Sequence, residues 1–121
     1  RKTTLPRISD QGLMALSEVT LNCFLTPKDL IVQDHKIIGY TEDFIVEKEI
    51  QPANIPFDEI KEDILTLSEH GFILEDIFYN YLFTDDRMFF NDLTCCRYIP
   101  IDNAFLKERF LQKNMETINI F

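Results

Sequence analysis

The sequence has no tryptophan, only three glycines and only 12 Lys and Arg residues against 21 Asp and Glu. Each scarcity excludes something. Loops that cradle phosphate need clustered glycines, so that backbone N–H groups can approach the oxygens. Gly12, Gly39 and Gly71 are scattered, each with a turn, strand or helix-cap explanation. The three cysteines, Cys23, Cys95 and Cys96, are odd in number and show no spacing of a disulfide framework. They read as free thiols of a reducing compartment. A zinc site needs about four converging nitrogen or sulfur ligands. His35 and His70 show no paired spacing with the cysteines, and in a strand Cys95 and Cys96 would point to opposite faces. No metal and no other cofactor is expected. No apolar run approaches the roughly 18 residues of a membrane span. Arg1 and Lys2 lead into Thr3, Thr4, Leu5 and Pro6 rather than the apolar stretch of a secretory signal, so a cytoplasmic protein is expected.

The excess of acid gives a formal charge of −9, which opposes non-specific contact with nucleic acid or anionic membranes. Against this, 45% of the residues are hydrophobic, including 11 Phe and 4 Tyr. That is enough apolar surface to offset the entropy of ordering. With 121 residues, no repeat and no linker, residues 1–121 are expected to form one domain.

Along the chain, Ser9 or Asp10 is placed to cap a short helix to Ser17, which Gly12 weakens. Val19, Leu21 and Cys23 alternate with Thr20, Asn22 and Phe24, the period of a strand. Pro27 fits a turn or a one-turn helix start. The β-rich runs Leu30–Val32 and Ile37–Tyr40 flank a polar turn and predict a hairpin. Phe44–Val46 begins a third run. From Phe57 to His70 the residues Phe57, Ile60, Ile64 and Leu67 share one helical face, Asp58, Glu59, Glu62, Asp63 and Glu69 the other, and Gly71 fits a left-handed cap. The run from Ile73 to Phe83 is ambiguous: Ile73, Ile77 and Tyr81 repeat at a spacing of four, as do Leu74, Phe78 and Leu82, which favours a helix, while the aromatic content would also suit a strand. Met88–Phe90 and Leu93–Ile101 read as a hairpin around Asn91–Asp92. Asp102 is placed to cap a last helix from Asn103 to about Lys113, and Met115–Phe121 reads as a tail. The fold class is therefore α+β: a small mixed, mostly antiparallel sheet or small barrel with two to four helices.

Two surfaces stand out. Basic residues are scarce, yet Arg97, Lys107, Arg109 and Lys113 fall close together. On a helix Phe105, Arg109 and Lys113 form one column, Leu106 and Phe110 a neighbouring column facing the core, and Tyr98 lies on the preceding strand. Rings beside cations suit single-stranded RNA, because rings stack on bases while cations meet phosphates. The tentative RNA-binding set is therefore Arg97, Tyr98, Phe105, Arg109 and Lys113. The bland alternative is that long basic side chains snorkel along an apolar edge. The second surface is the acidic set Asp58, Glu59, Glu62, Asp63 and Glu69, which suits a basic protein partner, as in an inhibitor or immunity-type protein. No catalytic constellation is recognisable, and the chain reads as a binding or regulatory protein rather than an enzyme.

The segment Leu25–Ile50, LTPKDLIVQDHKIIGYTEDFIVEKEI, together with the length, resembles the PrgU-like small proteins of Gram-positive pheromone-responsive conjugative plasmids. The resemblance implies a PUA-like barrel with flanking helices, associated with RNA binding. It also implies a role in limiting production of a plasmid-encoded surface adhesin. It carries no motif by which a functional residue can be transferred.

Overall fold

The structure, a computed structural model, describes residues 8–43, 55–75, 81–84, 88–90, 96–100 and 102–118. Its described elements are helix α1 (Asp10–Ser17), strands β1 (Asp29–Gln33) and β2 (Lys36–Thr41), helix α2 (Phe57–Glu69), strands β3 (Phe72–Ile73), β4 (Tyr81–Phe83), β5 (Met88–Phe90) and β6 (Arg97–Tyr98), and helix α3 (Ala104–Ile118). The strands pair antiparallel as β1–β2, β3–β6 and β4–β5. This is a small α+β architecture, and among the described residues the strands do not close into a barrel.

Local chemistry accounts for the elements with the strongest sequence signals. The Ser9 side chain caps α1 by accepting from the Gly12 N–H at 3.1 Å. Gly12 has a further role: a Cβ there would lie 2.6 Å from Tyr98 Cβ and 2.7 Å from Ile8 Cγ1, so glycine lets α1 sit directly on β6. The β1–β2 hairpin turns through Asp34 and His35 at φ 54° and 65°. Positive φ at both turn residues is the twist that a two-residue hairpin requires. Ile60, Ile64 and Leu67 of α2 are fully buried, whereas Phe57, expected on the same face, is 42% exposed at the first turn. Gly71 ends α2 at φ 91°, and a Cβ on it would sit against the Ile99 carbonyl oxygen.

Packing is shared among Leu13 and Leu16 of α1, the buried face of α2, Phe72 and Leu74 around β3, and Met88 and Phe90 of β5, with Ile118 of α3 closing the cluster. Each such side chain contributes roughly 1.5–3 kcal/mol by leaving water.

Several expectations from the sequence are corrected. Residues 19–23 form no strand; the next residue, Phe24, makes an isolated parallel bridge to Phe90 of β5, with the two rings stacked at 4.6 Å. Cys23, Phe24 and Leu25 are buried in succession, which breaks the alternation a strand would need. Pro27 starts no helix. Residues 73 and 81–83 are strand, not helix, and 76–80 lie outside the described residues. β5 pairs with β4, and within the 93–101 segment the described Arg97 and Tyr98 pair with Ile73 and Phe72. Asn103, not Asp102, caps α3 by accepting from the Leu106 N–H at 3.1 Å, and α3 runs on to Ile118. The run from Phe44, the Asn91–Asp92 turn and Cys95 lie outside the described residues.

Candidate functional site

Two buried polar side chains fix the geometry around the candidate surfaces. Asp63, on the second turn of α2, is 1% exposed. Its carboxylate accepts the Asn22 N–H at 2.9 and 3.0 Å, the Cys23 N–H at 2.6 Å and the Asn22 side-chain amide at 3.0 Å. One carboxylate thus satisfies two successive backbone donors, those of Asn22 and Cys23, that would otherwise need a strand partner. Burial pushes the Asp63 carboxyl above its ordinary 3.8; the hydrogen bonds from Asn22 and Cys23 pull it back, and neighbouring Glu62 adds to the rise. Asn114, fully buried on α3, accepts the Leu74 N–H at 2.8 Å and donates to Ser68 Oγ and the Phe72 carbonyl, both at 2.9 Å. One side chain therefore ties α3 to α2, to the first residue of β3 and to the residue that follows it.

The acidic surface is altered by this arrangement. Asp63 belongs to the interior and is removed from any docking face. Glu62 accepts from the Asn22 amide at 2.8 Å, while Asp58 and Glu69 remain exposed and Glu59 is half-buried within 3.7 Å of Cys23 Sγ. The five acids expected on one face do not form one presented surface.

The basic residues are brought together. Arg97 of β6 and Arg109 and Lys113 of α3 line a groove of about 350 Å³, whose apolar floor is Ile73, Leu106 and Phe110. That volume lies at the low end of the roughly 300–1,000 Å³ found for ligand clefts. Leu106 and Phe110, expected to face the core, open on this groove instead; Leu106 is 40% exposed and Phe110 half-buried. The buried face of α3 is the next one round the helix, carrying Asn114 and Ile118 with Leu111 and Met115 packed beside them. Arg97 Nε lies 3.6 Å from Glu75 Oε1, a pair exposed on both sides. Phe105, 66% exposed, carries the Arg109 guanidinium 5.9 Å from its ring centre. Tyr98 does not join the groove: its ring packs on Phe72 at 4.9 Å, and its Cβ backs onto Gly12. Adjacent residues of a strand point to opposite faces, so Arg97 and Tyr98 could not both line it.

Other chemistry-bearing groups are dispersed. His35 lies in the exposed hairpin turn, and the exposed His70 has Nδ1 2.8 Å from the Thr66 carbonyl oxygen at the end of α2. Cys23 and Cys96 are buried and not in disulfides. Among the described residues no three His, Cys, Asp or Glu side chains group as a metal site, and no helix is long and apolar enough to cross a membrane. A second concavity, about 400 Å³, lies along residues 17–29, with Lys28 and Asp43 paired at 3.0 Å on its wall.

The polar anchors were missed in the sequence. For Asn114 a signal existed, since Leu111, Asn114, Met115 and Ile118 share one helical face in which the amide interrupts an apolar pattern. No family model, curated protein or solved structure matches the chain.

Proposed function

We propose that this protein is a non-catalytic regulatory protein that binds RNA through the groove between β6 and α3. One observation carries the reading: Arg97, Arg109 and Lys113, drawn from two elements of a chain with net charge −9, line a single concavity with an apolar floor. Long-range repulsion limits phosphate contact elsewhere on so acidic a protein, which makes a local cluster of three cations the favoured point of approach. The apolar floor beside the cations offers a base somewhere to go once its phosphate is held. The resemblance to PrgU-like proteins supports the same reading and adds its physiological side, restraint of a plasmid-encoded surface adhesin in the cytoplasm.

Ultraviolet crosslinking of the intact protein to a mixed RNA pool, with the adducts mapped by mass spectrometry, tests the location. Adducts are expected on peptides carrying Arg97 and residues 105–113. Adducts confined to other peptides, or none above a bovine albumin control, would overturn the proposal.

A further inference from the structure

We infer that the groove selects a short single-stranded segment over a duplex, seating one base on the Ile73–Leu106–Phe110 floor while Arg97, Arg109 and Lys113 hold the flanking phosphates. The inference rests on the RNA-binding reading of this groove and sharpens it to a class of ligand. Charge argues against the duplex first. A helix of double-stranded RNA would lay a long row of phosphates across the protein, but among the described residues three cations line the groove, and the remainder of the chain is strongly acidic. A flexible strand can place a few phosphates at the cations and turn away from the acids.

Shape gives the second argument. Phe110 and Leu106 stay partly exposed at the bottom of a concavity of about 350 Å³, so they present apolar surface that a flat ring would cover. Bases inside a duplex are stacked and cannot enter; an unstacked base can. Arg109 and Lys113, four residues apart, are separated by about 6 Å along the helix axis. That separation suits neighbouring phosphates of an extended strand. Beside the groove, the exposed Phe105 ring under the Arg109 guanidinium supplies a second flat surface against which the next base can rest.

The test compares fluorescence anisotropy of a labelled single-stranded RNA of about eight nucleotides with that of the same strand annealed to its complement, at about 50 mM salt. The intact protein is expected to bind the single strand at least about tenfold more tightly than the duplex. Phe110→Ala should weaken single-strand binding roughly tenfold, the usual effect of losing one stacking partner. Because Phe110 lies outside the buried cluster, its truncation should leave thermal unfolding nearly unchanged. Leu106→Glu, at a position 40% exposed, gives an independent check by putting a carboxylate into the groove, and it should abolish binding without unfolding the protein. Equal binding of both RNAs, or full single-strand binding by both variants, would overturn this inference and leave the RNA-binding reading standing. Binding of neither RNA by the intact protein would overturn both.

Discussion

At the scale of single residues, the structure depends on a few side chains whose chemistry has no substitute nearby. Gly71 combines a φ of 91° with the Ile99 carbonyl oxygen lying where a Cβ would go. Gly71→Ala is therefore expected to cost about 2–4 kcal/mol, read as a lowered urea midpoint at unchanged slope. Asp63 makes a different prediction, about pH. Burial raises its carboxyl above 3.8 in the folded protein, so the folded state holds that proton more tightly than the unfolded chain does. Ionisation of Asp63 then subtracts from stability: the subtraction is absent below pH 3.8 and complete once the pH has risen past the folded-state pKa. Asp63→Asn, which offers one carbonyl in place of two carboxylate oxygens, should be less stable than the natural protein at neutral pH by about 2 kcal/mol. The gap between the two should widen on acidification toward pH 3.8. A gap that narrows would mean that the hydrogen bonds from Asn22 and Cys23 outweigh desolvation.

Elements differ in how far their own residues determine them. The β1–β2 hairpin and α2 were legible in the sequence because their causes are local: a turn at Asp34–His35 between β-branched runs, and an apolar face recurring every three or four residues. The segment from Ile73 to Phe83 misled because a spacing of four satisfies two geometries. It stacks side chains on a helix, but it is also an even number, which keeps them on one face of a strand. The strand at its start is fixed by a remote partner, Phe72 opposite Tyr98, and the strand at its end by the next strand along, Tyr81 opposite Phe90. The same holds for the 19–23 segment, where the N–H groups of Asn22 and Cys23 meet a carboxylate 41 and 40 residues away. Position within α3 was misjudged by one face, because Asn114 belongs to the buried side and the Leu106–Phe110 column does not. Asn114→Ala tests the docking of this helix. It removes partners from the Leu74 N–H, Ser68 Oγ and the Phe72 carbonyl together, and should cost about 3 kcal/mol or more, lowering Tm by roughly 10 °C. A loss below about 1 kcal/mol would show that water replaces the amide.

For the molecule as a whole, the question is how an acidic protein engages a polyanion. The candidate site was half legible: scarcity of basic residues drew attention to Arg97, Arg109 and Lys113, while the concavity they share exists only once β6 is packed beside α3. Tyr98, included with them from its position in the chain, is committed to Phe72. With three cations engaged, the slope of log K against log salt should be about −2 for a single strand, shallow compared with a basic nucleic-acid-binding domain. A much steeper slope would implicate cations beyond the groove. The most direct test of the central claim is the affinity of the natural protein and of the Arg97→Glu, Arg109→Glu, Lys113→Glu triple variant for the same labelled single-stranded RNA. These side chains are exposed, so the variant should fold normally, and the account predicts that its binding is lost. Undiminished binding by a folded triple variant would contradict it.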